Sequence, residues 1–238
     1  MISIIVPTMW RYKPFYQFLA DMLSSPYVGE IFIIDNSPSE RPDIEILNHP
    51  NITLHTFGKN VYVNPAWNYA VPRAKHDRIC LYGDDLIFDL KLFHRIYNHI
   101  SPHRGVYGIS PGVKDTPQIP VTTGEIGIIH SPNQYNFREH LGFGMLMFLH
   151  RKNWIPVIDG LDICWGDNFV YDTQYFMMNQ NYLITNLLHH TPYASTTSTI
   201  PEAVPMMNAE GIIYNRDMPA LLNKLRIDNS IKTGFHNA

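Results

Sequence analysis

Two adjacent carboxylates, Asp84 and Asp85, follow the apolar run Arg78-Ile79-Cys80-Leu81-Tyr82 and its closing Gly83. A run of that length ended by a turn residue reads as a buried strand. Acids side by side at such an end repel each other and lose hydration, which calls for a divalent cation or a basic partner. Oxygen-only ligands favour Mg²⁺ or Mn²⁺. The alternative is a polar turn capping the helix that starts near Asp89. Two more polar residues close apolar runs: Thr8 after Ser3 to Val6 and Pro7, and Asp35 after Glu30 to Ile34. Later, Trp165-Gly166-Asp167-Asn168 opens a helical pattern, in which Asp167 suits a helix cap and dipole partner.

The elements that must position these groups alternate. Phe15, Phe18, Leu19 and Met22 recur at helical spacing after the first strand. Ile52 to Phe57 alternates as a third strand, and Asn64 to Ala74 reads as a helix with Asn64 as N-cap and Pro65 first inside it. A helix from about Leu90 to Ile100 follows the paired acids. This alternation predicts an α/β fold with a mainly parallel central sheet flanked by helices. Ligands then bind outside the carboxyl ends of the strands, the edge that collects Thr8, Asp35 and Asp84-Asp85.

The second half is less regular. Strands are expected at Gly105 to Ser110, within Thr122 to His130, at Met145 to His150 and at Tyr182 to Leu188 before His189-His190. A helix is expected from Trp165 through Gln180, and an amphipathic helix beyond Asp217 through Leu221, Leu222 and Leu225. Thr191 to Pro205, rich in Ser, Thr and Pro, is the nearest thing to a linker.

With 238 residues, 45% apolar and 16% charged, the chain is of ordinary globular composition and can bury a substantial core. A net charge of −3 gives no electrostatic case for a nucleic-acid partner. Cys80 and Cys164 lack metal-ligand spacing and read as reduced core thiols. No stretch approaches a transmembrane span, and the short apolar N-terminus is stopped by Pro7 and Arg11. A cytoplasmic protein is expected.

The ordered set resembles the family 2-type glycosyltransferases with the GT-A fold, from residue 2 to about residue 195. The carriers are the strand ending in Pro7-Thr8 with Arg11 beyond it, Ile33-Ile34-Asp35-Asn36-Ser37, Gly58-Lys59-Asn60 running to Asn68, and Gly83-Asp84-Asp85. That resemblance implies one GT-A domain: a nucleotide-binding half over 1–110, an acceptor half over 111–200 and a C-terminal extension over 201–238. It further implies an inverting, metal-dependent transfer from a nucleotide-sugar, most often a UDP-sugar, to a hydroxyl of a glycan acceptor. Pro7, Thr8, Arg11, Asn60 and Asn68 would line the nucleotide, Asp35 would accept from the base N3–H, and Asp84 would lie near the ribose. Asp85 would hold the Mn²⁺ or Mg²⁺, joined by His190 or His189. The late Glu-Asp motif of the family matches Gly166-Asp167, making Asp167 the base; Asp162, Asp172 and, more weakly, Asp159 are fallbacks. Trp165 and Gly144 of the Gly142-Phe143-Gly144 turn would stand on the acceptor and sugar side; Tyr135, Trp154 and Tyr171 are further candidate stacking platforms, set against the ordinary role of aromatics in a core.

Two other functions compete. Sugar nucleotidyltransferases share a similar fold but open with a glycine-rich basic loop, whereas Pro7-Thr8-Met9-Trp10-Arg11 has no glycine. A non-catalytic or degenerate transferase is kept open by Gly83 and Gly166, which stand where the family often has acids.

Overall fold

A computed structural model describes residues 1–109, 125–131, 143–191 and 203–233. An eight-stranded sheet runs in the order β3-β2-β1-β4-β8-β6-β9-β7. Its first half is parallel: β1 (Ile2–Thr8) sits between β2 (Val28–Asp35) and β4 (Arg78–Tyr82), with β3 (Ile52–Thr56) at the edge. Beyond β4 the sheet is mixed. β8 (Leu146–His150) pairs antiparallel with both β4 and β6 (Tyr107–Ile109), β9 (Tyr182–Thr185) runs parallel to β6, and β7 (Gly127–His130) closes the edge antiparallel to β9.

Side chains of β1, β2 and β4 alternate between two cores because successive residues face opposite sides of a sheet. Ile4, Val6, Ile31, Ile33 and Cys80 pack under α1 (Pro14–Leu23) and α3 (Lys91–Tyr97), whose Phe15, Phe18, Leu92 and Phe93 fill that layer. Ile5, Phe32, Ile34, Ile79 and Leu81 face α2 (Asn64–Ala70) through Ala66, Trp67 and Ala70. A third cluster joins α4 (Gly166–Phe176) to α5 (Ala203–Thr233) through Phe169, Val157, Leu161, Tyr214, Met218 and Leu222. Both cysteines are free thiols. Among the described residues no helix is long and apolar enough to cross a membrane.

Four expectations are corrected. The helix opened by Asn64 ends at Ala70, with a 3-10 turn over Val71–Arg73, and Asn64 does not cap it: its amide donates instead to Leu161 and Cys164. The strand from Tyr182 stops at Thr185, where Asn186 turns left-handed (φ 57°), so His189–His190 is a separate strand, β10, antiparallel to β5 (Ile87–Phe88). The helix opened at Gly166 ends at Phe176 rather than Gln180. The terminal helix starts at Ala203, well before Asp217, because packing on α4 overrides the low helix propensity of Asn208, Gly211 and Asn215. Expectations that fall on Ser110 to Pro120, Tyr135, Gly142 and most of the Thr191–Pro205 linker lie outside the described residues.

Candidate active site

The parallel half of the sheet delivers three polar strand ends to one edge. Thr8 stands opposite Asp35 in the β1–β2 register. The Thr8 hydroxyl donates to Asp84 Oδ2 at 2.6 Å, tying the end of β1 to the turn after β4. Asp84 is the most perturbed carboxyl here: burial pushes it up to about 6, opposed by the Thr8 hydroxyl and assisted by the charge of Asp85. The same charges act on neighbouring phenols. Tyr12 is raised by burial and then by Asp85, and Tyr16 by burial and then by Asp84.

Asp35 is fully buried at the end of β2. Its Oδ1 accepts two hydrogen bonds, from the Trp10 indole N–H at 2.8 Å and the Ser37 backbone N–H at 3.0 Å. Oδ2 accepts none and lies 3.5 Å from the Arg41 guanidinium. Trp10 reaches back because its backbone is left-handed (φ 61°), with its own N–H held by the Thr8 hydroxyl. Trp10 and Arg41 were not anticipated as site residues; the sequence signal for Trp10 was an indole two residues past a strand end. Pro7 is half-buried in β1, and Arg11 is exposed just beyond Trp10.

Asn60 and Asn68 are placed differently from each other. Asn60 lies beside Met9, just past β1: its side-chain Oδ1 accepts from Tyr62 N–H at 2.7 Å and its Nδ2 is 3.7 Å from Met9 Sδ. Asn68 exchanges two hydrogen bonds with the Val157 backbone, both 2.8 Å, and so clamps the segment under α4. Both ends of its amide are spent on that clamp.

The helix carrying Asp167 is tied to the acid turn through the 3-10 turn Phe143–Met145. Gly144 N–H donates to Asp167 Oδ2 at 3.1 Å, and Gly83 N–H donates to the Met145 carbonyl at 2.9 Å. Asp167 and the Gly83-Asp84-Asp85 turn are therefore held by consecutive residues of one segment. A Cβ at Gly144 would stand 3.3 Å from the Asp167 carboxylate, so the glycine allows that close approach. Asp167 Oδ1 also accepts from Asn168 N–H at 3.0 Å, a bond within the first turn.

The two glycines at positions where the resemblance leads one to expect an acid differ in the room they leave. At Gly83 an added Cβ would make ordinary contacts, the nearest being Asp85 Oδ1 at 3.4 Å. At Gly166 it would fall 1.9 Å from Asn64 Oδ1, so the Asn64 amide fills the space that a side chain would need.

The remaining acids and aromatics are sorted by what they touch. Asp172 is buried between α4 and α5 and accepts from the Tyr214 hydroxyl, which removes it as a base facing the cleft. The Asp162 carbonyl accepts from Val63 and Asn64 N–H, and Asp159 is exposed beside Gly160. Trp165 donates from its indole to the Met207 carbonyl at 3.1 Å and packs against Tyr214 and Gly211. One face of that ring is thus covered by α5 rather than offered to a sugar.

Metal-ligand capacity rests on few groups. Among the described residues no cluster of three or more His, Cys, Asp or Glu is arranged to hold a metal alone. Mg²⁺-type sites on phosphate substrates need only one or two carboxylates, since phosphate oxygens and water complete the shell. His189 is buried with Nδ1 2.9 Å from the Leu187 carbonyl, and its Nε2 has no hydrogen-bond partner. A ring donating from Nδ1 leaves the Nε2 lone pair as a ligand atom. His190 pairs with Ile87, and its side chain falls on the opposite face of β10.

The family model described as "Glycosyl transferase family 2" matches residues 3–177, which takes in the ends of β1, β2 and β4 and the whole of α4. The chain belongs to glycosyl transferase family 2. Solved structures similar to this glycosyltransferase share its GT-A fold. S. aureus TarS 1–349, in complex with UDP-GlcNAc, is 14% identical with a TM-score of 0.57 over 96% of this chain and 71% of that one. Mannosyltransferase PcManGT from Pyrobaculum calidifontis, in complex with GDP-Man and Mn²⁺, is 16% identical with a TM-score of 0.54 over 96% and 69%. GalNAc-T7 with UDP, GalNAc and Mn²⁺ gives 0.52 at 12% identity over 81% and 43%. No curated protein sequence matches the chain.

Proposed function

We propose that this family 2 glycosyltransferase moves a sugar, with inversion, from a UDP-sugar to a hydroxyl of a glycan acceptor, using a divalent cation. The observation that carries the reading is the convergence at one sheet edge: Thr8 on Asp84, Trp10 on Asp35, and Phe143–Met145 joining Gly83 to Asp167. Asp167 takes the proton of the acceptor hydroxyl as its oxygen attacks the anomeric carbon and the bond to the diphosphate breaks. Asp84 lies on the ribose side. Asp85 and His189 would hold Mn²⁺ or Mg²⁺, which when bound neutralises charge on the nucleoside diphosphate leaving group. The similar structures solved with UDP-GlcNAc, GDP-Man and Mn²⁺ support a nucleotide-sugar and a metal without choosing between them.

The occupancy of Asp35 favours uracil. A guanine edge presents two adjacent donors, N1–H and N2–H, which suit both oxygens of a carboxylate, whereas uracil presents the single N3–H. With Oδ1 already taken by Trp10 and Ser37, only Oδ2 remains, and Arg41 must yield to expose it.

The test is calorimetric titration of UDP, GDP and TDP with Mn²⁺, then with EDTA, repeated on Asp85→Ala. UDP binding that needs metal and is lost in the variant is expected. Absence of binding by all three nucleotides with Mn²⁺ present would refute the reading. Asp167→Asn is expected to keep UDP binding and to lower kcat by roughly 10²–10⁴-fold.

A further inference from the structure

The family match ends at residue 177, yet the loop that launches α4 is gripped from beyond it by α5. Glu210 on that helix is buried, at 4% exposure, and spends its carboxylate on the loop backbone. Its Oε1 accepts from Ile163 N–H at 3.1 Å and its Oε2 from Cys164 N–H at 2.7 Å. One residue later Trp165 turns left-handed (φ 60°), a conformation that a bulky side chain rarely adopts unaided. Its indole is anchored on the Met207 carbonyl, one helical turn before Glu210. From the opposite side, Asn64 holds the Leu161 and Cys164 carbonyls at 3.0 Å each. The turn that sets the direction of Gly166-Asp167 is thereby fixed between α2 and α5.

We propose that Glu210 is a positioning residue for Asp167, acting from α5 through the 163–165 backbone to aim the Asp167 carboxylate at the acceptor hydroxyl. The proposal rests on the reading of Asp167 as the base. A loop released from Glu210 lets Trp165 relax toward an ordinary backbone conformation, which rotates the first turn of α4 and shifts Asp167 against Gly144. Displacements of about 1 Å at a reacting group cost roughly a hundredfold in rate. The nucleotide-side groups Thr8, Asp35 and Asp84 lie at the ends of β1, β2 and β4, away from the 163–164 backbone that Glu210 holds, so donor binding stays intact.

The experiment is a double-mutant cycle on the full chain with Glu210→Gln and Asp167→Asn, reading kcat, donor KM and calorimetric UDP affinity with Mn²⁺. Gln offers one acceptor for two backbone donors, so kcat is expected to fall ten- to a hundredfold with donor KM and UDP affinity within about twofold. In the Asp167→Asn background, Glu210→Gln is expected to leave the residual rate unchanged. An equal fall in both backgrounds, or no fall in either, would overturn the proposal. Glu210→Asp retains the charge but shortens the reach, and supplies the same readout if the Gln variant does not fold. An Asp167→Asn enzyme as active as the wild type would remove the base assignment itself, a failure read without any Glu210 variant.

Discussion

Gly166→Ala adds one methyl group at the start of α4, and the structure gives its cost. The new Cβ would sit 1.9 Å from Asn64 Oδ1 and 2.5 Å from its Cγ. Asn64 is buried and cannot retreat freely, because its Nδ2 donates to the carbonyls of Leu161 and Cys164. Moving the amide aside loses both bonds, about 1 kcal/mol each. Overpacking a dense interior adds about 1–3 kcal/mol. Replacing a helical glycine by alanine returns at most about 1 kcal/mol. The net loss is about 2–4 kcal/mol, a large part of a domain stability of about 5–15 kcal/mol. Urea unfolding at neutral pH reads it directly. On an Asn64→Ala background the clash is gone, so the same substitution should cost nothing or stabilise. A Gly166→Ala protein as stable as the wild type, or an equal loss on both backgrounds, would refute this account of the glycine.

Further tests address the nucleotide edge. Asp84 has a folded value of about 6 against an ordinary 3.8, so its ionisation destabilises the fold by about 3 kcal/mol. That cost is absent below about 3.8, grows as pH rises to about 6 and is complete above it. Asp84→Asn should therefore be more stable than the wild type at pH 7.5, with the advantage shrinking as pH falls through 6; a difference independent of pH would contradict it. Trp10→Phe removes the indole donor from Asp35 Oδ1 and should narrow the preference for UDP over GDP in calorimetry, whereas an unchanged ratio would show that the indole does not set it. His189→Ala should weaken Mn²⁺-dependent UDP binding by roughly tenfold, about 1.4 kcal/mol, while His190→Ala changes it little. Equal effects of the two variants would mean that the orphaned Nε2 is not the ligand.

What the sequence by itself determined was local and periodic. Apolar runs closed by polar residues fixed β1, β2 and β4, and helical spacing fixed α1, because those patterns report burial within one element. Parallel order then follows from strand–helix alternation, which puts Thr8, Asp35 and Asp84 on one edge before any coordinates are known. What only the tertiary structure decided were contacts between segments far apart in the chain. Asn64 looked like a helix cap from its neighbours, yet it lies against Gly166 and holds the Leu161 and Cys164 carbonyls, an arrangement no local pattern encodes. Trp165 looked like a sugar platform, but α5 covers one face of it. Glu210 is marked by no local pattern, since its contacts depend on a loop 46 residues away in sequence at Cys164. Hydrophobic periodicity reaches across a few residues. The side chains that aim Asp167 are brought together by the packing of α4 and α5, and that packing exists only in the folded chain.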